Sequence, residues 1–185
     1  MAIRWKFVLP IIGLGLAFTV GRMVADWSTD DTPAEPLEAG FQAFQAGRFS
    51  QAELMFERAR RADPERGDAY HGLALVALEK RRDLKQAEAL FREAIAAPDT
   101  SPVAFANFGR FLINEQRYGE AIAVLEQGVA RDPDFDPARA RLAIALYADG
   151  RLDDACRVAR SIADPPDAEE GLIERIREDP GCVTR

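Results

Sequence analysis

The chain has 185 residues, and 24 lysine and arginine residues against 31 aspartate and glutamate residues give it a formal net charge of −7. Hydrophobic residues make up 48% of the sequence, which is typical of a folded chain and not of a disordered one. One histidine and two cysteines provide no set of four nitrogen and sulfur ligands for zinc, and little material for Cys/His or Ser/His catalysis. The composition therefore argues against an enzyme, a cofactor and a metal site.

The first segment of the chain has the pattern of a membrane anchor. Residues 7–21 carry no charge, and Trp5 and Trp27 bracket this run. The 22 residue steps between the two tryptophans span roughly 33 Å as a helix, close to the thickness of a bilayer with aromatic residues at its edges. The sequence thus predicts a single transmembrane signal anchor over residues 7–25.

Charges on the two sides of this anchor predict its orientation. Arg4 and Lys6 precede it, whereas the residues after it begin with Asp26, Asp30 and Asp31. By the positive-inside rule, residues 1–6 are predicted to be cytoplasmic and the remainder periplasmic. An excess of arginine over lysine, 21 to 3, suits a GC-rich bacterial genome. The predicted location is the bacterial inner membrane, with a single pass.

Three alternatives to a simple anchor stay open at this point. A cleaved signal peptide has a similar pattern, but Met23 occupies a position where a small residue is preferred. A buried soluble helix is the second alternative. In the third, the small residues Gly13, Ala17 and Gly21 bring two anchors together in a homo-oligomer. No cysteine follows the run, which excludes a lipid-modified anchor.

Residues 26–36 read as a short, stiff linker because they are acidic, carry two prolines and lack apolar periodicity. The chain beyond the linker remains acidic and has no dense basic stripe. Binding of nucleic acid through charge is therefore not expected.

Beyond the linker the sequence repeats itself. Ala52, Ala87, Ala121 and Ala155 are spaced by 35, 34 and 34 residues, and a proline closes each unit. A period of this length predicts an array of helical hairpins. The second unit is one residue longer than the others, and the extra residue falls within 79–83. We expect its turn to be looped out.

The repeated residues resemble the tetratricopeptide repeat (TPR) family, most closely at 104–112, 117–122 and 132–133. The resemblance implies an all-α fold of two antiparallel helices per repeat, stacked into a right-handed superhelix with an inner groove. About four units are expected over residues 37–165. A capping helix over 166–179 and a tail over 180–185 complete the predicted organisation.

The resemblance also implies where a partner binds, since ligand peptides of the family lie on the inward face of each repeat's first helix. At those positions this chain carries Leu37, Phe41, Phe44, His71, Leu75, Leu78, Arg110, Ile113, Asn114, Ile144 and Tyr147. This face is apolar with one cation, and it lacks the Lys and Asn set of Hsp70- and Hsp90-binding relatives. It favours an amphipathic protein or peptide segment as partner. The alternative is that these residues are interhelical core.

Cys156 and Cys182 are candidates for a disulfide, because an oxidising periplasm would allow them to staple the capping helix. Two free thiols remain the alternative. No other pair of cysteines is available in the sequence.

These observations predict a membrane-anchored bacterial TPR protein that acts as a scaffold or chaperone for assembly, maturation or secretion of another envelope protein. Similar layouts occur in cytochrome c maturation chaperones and ancillary translocon subunits. Pilus assembly repeat proteins usually depend on a lipid-modified cysteine that the N-terminal run lacks. The alternatives are a self-assembling structural TPR protein and a secreted periplasmic adaptor released by signal cleavage. An enzyme is disfavoured, because the polar residues do not converge in the sequence pattern.

Overall fold

The computed structural model describes residues 35–183, and these fold into ten α-helices and one π-helical turn. The proposed anchor at 7–25 lies outside the described residues. Within residues 35–183, none of the helices has the length and apolar character required to cross a bilayer. The helices are α1 (Pro36–Gln45), α2 (Phe49–Ala62), α3 (Gly67–Val76), α4 (Leu84–Ala96), α5 (Pro102–Asn114), α6 (Tyr118–Arg131), α7 (Asp136–Ala148), α8 (Leu152–Ser161), α9 (Asp167–Arg177) and α10 (Pro180–Val183).

The first eight helices pair in chain order into four hairpins, α1 with α2, α3 with α4, α5 with α6 and α7 with α8. Each second helix also packs against the first helix of the next hairpin, which turns the hairpins into a continuous stack. The repeated alanines at 52, 87, 121 and 155 are fully buried where these helices meet. The predicted all-α solenoid of helical hairpins is confirmed.

Small residues set how closely the helices approach. The ring of Phe56 on α2 fits between Gly40 on α1 and Gly72 on α3, and a Cβ at either glycine would lie within 2.6 Å of that ring. Two hairpins therefore share one aromatic side chain. Because neither glycine carries a side chain, the helix axes can come together closely around Phe56.

The buried side chains form two clusters. The smaller cluster joins the first hairpin to α3 and is centred on Phe56. The larger one runs from α3 to α10 and includes Phe91, Phe108 and Leu125. Partly buried Leu90 packs against both clusters, so the apolar interior continues along the stack.

The turn inside the second hairpin differs from the expected loop. The chain continues helically after α3 as a π-helical turn, Ala77–Arg81, and Arg82 then adopts a left-handed conformation with φ 49°. The looped-out turn is therefore wrong. The π-helical turn absorbs the extra residue because Ala77 stays buried and Lys80 and Arg81 find an ionic partner on α2.

The C-terminal end of the stack is closed by α9, which packs on α7 and α8. Ile173 and Ile176 are buried there, whereas Leu172 is 44% exposed. Beyond α9, the short helix α10 occupies the region expected to be a tail and packs on α8.

Candidate functional site

A cleft of about 280 Å³ opens between the first helices of the second and third hairpins. Its walls come from α3 with the π-helical turn, the start of α4, and α5. The lining side chains are Leu75, Leu78, Glu79, Leu84, Phe91, Asn107, Arg110, Phe111, Asn114 and Glu115. The cleft combines apolar side chains with a few polar and charged ones, an arrangement typical of binding sites.

The cleft brings together four of the predicted groove residues, Leu75, Leu78, Arg110 and Asn114. Phe41 and Phe44 instead pack beside the N-terminal core cluster. Ile113 and Ile144 are partly buried against the larger cluster. Tyr147 is 43% exposed near the C-terminal end, where its hydroxyl donates to Asp179 Oδ2 at 3.0 Å.

Two predicted groove residues belong to the interior. Leu37 is 7% exposed and His71 is 2% exposed, so the expectation that they face an open groove is wrong. Leu37 joins the core cluster of Phe56. The His71 ring lies between those of Phe41 and Phe91, at 5.8 and 6.2 Å between centroids. The neighbouring first helices approach closely enough to cover both positions.

His71 begins a row of polar contacts that we call the polar ladder: His71, Asn107, Arg141 and Glu169. Asn107 Nδ2 lies 2.9 Å from His71 Nε2, and Arg141 Nη1 donates to Asn107 Oδ1 at 3.3 Å. Arg141 Nε donates to Glu169 Oε1 at 3.0 Å. The ladder therefore crosses from α3 to α5, α7 and α9, and it links the second, third and fourth repeats to the capping helix.

The ladder fixes the proton on His71. A guanidinium only donates hydrogen bonds, so Asn107 must present its oxygen to Arg141 and its amide group to His71. His71 Nε2 then accepts, and the proton lies on Nδ1, a buried atom without a hydrogen-bond partner among the described residues. Burial lowers the pKa of His71 to about 4, and the ring is neutral at pH 7.

The cation of the cleft, Arg110, is exposed and differs from Arg141. Arg141 is largely buried and paired with Glu169, and burial lowers the pKa of its guanidinium. Within residues 35–183, Arg110 makes no hydrogen bond or ion pair. Its charge lies close enough to His71 and Arg141 to disfavour a further positive charge on either. Arg110 is thus a cation available to a ligand.

Sequence reasoning missed the polar ladder and the cleft residues Glu79, Leu84, Phe91, Phe111 and Glu115. A signal for part of the ladder exists, because Asn107 and Arg141 are polar residues 34 positions apart and so occupy equivalent positions in successive repeats. The cleft residues carry no such signal, since they come from the π-helical turn, the following helix and the end of α5.

A separate covalent feature lies at the C-terminal end. Cys156 on α8 and Cys182 on α10 form a disulfide with 5.5 Å between their Cα atoms. Both residues are buried, and the Arg160 guanidinium donates to the carbonyl oxygen of Cys182. The short terminal helix is thereby fastened to the last hairpin.

Comparison with family models decides which family this arrangement represents. Models described as tetratricopeptide repeat match residues 38–102, 80–136 and 112–170. The chain belongs to the tetratricopeptide repeat family. TPR repeats form a family of protein-interaction scaffolds, and the matches together span residues 38–170 of this chain.

An individual curated protein also matches part of the chain. The type IV pilus assembly protein PilF of Pseudomonas aeruginosa is 29% identical over 125 residues, covering 65% of this chain and 49% of PilF. The chain spans about half the length of this curated relative. The match relates this TPR chain to PilF over those 125 residues.

Solved TPR structures agree with the fold. A structure of PilF from Pseudomonas aeruginosa has a TM-score of 0.59 and 22% identity, covering 80% of this chain and 63% of that one. The crystal structure of YrrB, described as a TPR protein with an unusual peptide-binding site, has a TM-score of 0.60 and 19% identity. That match covers 87% of this chain and 86% of YrrB. At these identities the likeness shows the fold alone.

Proposed function

We propose that this TPR protein is a membrane-tethered scaffold of the bacterial envelope that holds a segment of another envelope protein in its cleft. In this role it assists assembly, maturation or secretion of a larger complex. The observation that carries the proposal is the cleft between α3 and α5, which is lined by apolar side chains and by the unpaired cation Arg110. The relation to PilF, named as a pilus assembly protein, supports an assembly role.

The membrane part of the proposal rests on the sequence. The uncharged run at residues 7–21 and the basic residues before it support an anchor at 7–25 with the repeats in the periplasm. Alkaline phosphatase fused after Arg185 should be active, and a fluorescent protein fused there and exported unfolded should stay dark. A bright fluorescent fusion with inactive phosphatase would contradict the periplasmic location.

Photo-crosslinking in native membranes tests the cleft. A photoreactive amino acid at position 78 lies in the cleft, and one at position 58 lies on the exposed part of α2 as the matched control. We expect a discrete protein adduct from position 78 and not from position 58. Arg110→Glu should remove that adduct while circular dichroism shows unchanged helix content.

The mass of the crosslinked adduct distinguishes a partner protein from a second copy of this chain. An adduct of twice the chain mass at position 78 would support the self-assembling alternative. Equal adducts from positions 78 and 58, or adducts that persist in Arg110→Glu, would remove the cleft from the proposed function.

A further inference from the structure

The second repeat differs from the other three in the turn that forms one wall of the cleft. Three turns close with a backbone hydrogen bond across five residues, Arg48 N to Ala43 O, Arg117 N to Leu112 O and Arg151 N to Leu146 O, at 2.8 to 2.9 Å. In the second repeat the corresponding bond spans six residues, from Asp83 N to Ala77 O at 3.2 Å. The extra residue is therefore taken up within the helix end itself.

Ion pairs to α2 hold the π-helical turn in place. Lys80 Nζ lies 2.9 Å from Glu53 Oε2 and Arg81 Nη2 lies 2.5 Å from Glu53 Oε1, so both basic side chains reach back to α2. Leu78 and Glu79 of the same turn line the cleft instead. The π-helical turn thus contributes an apolar and an acidic side chain to the cleft wall, and turns of this kind recur at functional sites.

The size and lining of the cleft suit side chains of a polypeptide. Its volume of about 280 Å³ is below the usual range of roughly 300–1,000 Å³ for small-molecule sites. Leu75, Leu78 and Phe111 supply apolar contacts, and Leu84 at the edge is 45% exposed. One bulky apolar side chain can be buried there while the backbone that carries it remains outside.

The positive and the negative side chains of the cleft lie at different positions along its helices. Arg110 lies within α5, whereas Glu115 lies five residues further on, about 7.5 Å along the helix axis. Glu79 lies in the π-helical turn at the corresponding end of the neighbouring first helix. Both carboxylates are exposed, and neither forms an ion pair within residues 35–183. A ligand therefore meets a cation toward the helix middles and two carboxylates toward the helix ends.

We infer that the extra residue of the second repeat creates a specificity pocket for a polypeptide segment with one bulky apolar residue between an acidic and a basic group. The acidic group pairs with Arg110, and the basic group faces Glu79 and Glu115. This inference rests on the proposed function and specifies the partner that the cleft accepts. A uniformly acidic segment is disfavoured by the two glutamates, and a uniformly basic one by Arg110.

A random dodecapeptide library displayed on phage tests this inference with the full chain in detergent. We expect enriched peptides to carry a large apolar residue with an acidic and a basic residue within a few positions of it. Arg110→Glu should lower the frequency of the acidic residue about tenfold, the effect of losing one charge-assisted hydrogen bond. Glu79→Lys combined with Glu115→Lys should do the same to the basic residue.

Arg58→Glu is the matched control, because Arg58 is exposed on α2 and does not line the cleft. It changes the net charge as Arg110→Glu does and should leave the enriched sequences unchanged. Enriched peptides with an apolar residue but no charge preference, or with the same preference in Arg110→Glu, would overturn the inference while leaving peptide binding intact. No enrichment over detergent-coated beads would overturn both the inference and the proposed function.

Discussion

The second and third repeats have the same hairpin architecture but end their first helices differently. In the third, α5 runs to Asn114 and the turn closes through left-handed Gln116, with φ 60°. In the second, the helix passes into the π-helical turn and closes one residue later through left-handed Arg82, with φ 49°. An insertion can thus leave the helical hairpin of a repeat intact while it changes how the first helix of that repeat ends.

The largest expected effect concerns the core position that the repeats share. Phe91 in the second repeat and Leu125 in the third are both fully buried, and the Phe91 ring lies 5.3 Å from that of Phe108. Phe91→Ala should lower the free energy of unfolding by about 4 kcal/mol and Leu125→Ala by about 3 kcal/mol. Urea unfolding measures both, and a smaller loss at Phe91 than at Leu125 would contradict the account.

At the position of Phe91 and Leu125, the fourth repeat has the much smaller Ala159. There the disulfide between Cys156 and Cys182 closes a loop of about 27 residues and should contribute about 3.5 kcal/mol. Replacing both cysteines by serine should remove that stability. If alkylation of the denatured, unreduced protein labels both thiols, the disulfide is absent from the protein and no such loss is expected.

An ionic contact between the second and third repeats should have a smaller effect. Arg117, the residue just before α6, donates two hydrogen bonds of 2.8 Å to the carboxylate of Glu88 on α4. Hydrogen bonds from Arg117 lower the pKa of Glu88 from 4.5 to about 2. Because this folded-state pKa lies below that of the unfolded chain, the stabilisation is complete above about pH 4.5 and is lost as the pH falls to about 2.

Glu88→Gln should therefore lower the free energy of unfolding by about 1 kcal/mol at pH 7, since both partners are partly exposed. The difference from the unmodified chain should disappear on acidification to pH 2. Glu126→Gln, at an exposed site on α6, is the control and should change little at any pH. A difference at Glu88 that grows on acidification would show that the sign is wrong.

The smallest expected effect concerns the turn residues themselves. A left-handed conformation is unfavourable for Arg82 and Gln116, whereas glycine occupies the equivalent turns at Gly47 and Gly150. Arg82→Gly and Gln116→Gly should each raise the free energy of unfolding by about 0.5 kcal/mol. Gly47→Ala should lower it. Urea unfolding measures these changes, and a loss of stability in Arg82→Gly or Gln116→Gly would contradict the claim that the left-handed conformation is unfavourable there.

The sequence predicted the repeat architecture because the alanine spacing reflects contacts that recur in every hairpin. It predicted four of the cleft residues, Leu75, Leu78, Arg110 and Asn114, from their positions on the first helices. It did not predict the π-helical turn, since a period of 35 records an extra residue but not how the backbone accommodates it.

The sequence left open whether His71 and Leu37 face the groove or belong to the interhelical core, and it could not decide that both positions are buried. Each depends on how closely a neighbouring first helix approaches, which Gly40, Gly72 and Phe56 decide together. The cross-repeat pairing of Lys80 and Arg81 with Glu53 likewise joins residues 27 and 28 positions apart. Such contacts depend on how the hairpins stack and not on local pattern.

The most direct test of the account measures the affinity of one library-selected peptide for three forms of the full chain: unmodified, Arg82→Gly and a deletion of Arg82. The deletion restores the spacing of 34 and should convert the π-helical turn into an ordinary helix end. We predict that the deletion weakens binding about tenfold or more, as expected when a buried anchor residue loses its pocket, and that Arg82→Gly leaves it unchanged. Equal affinity in all three forms, with helix content intact, would contradict the claim that the extra residue builds the binding cleft.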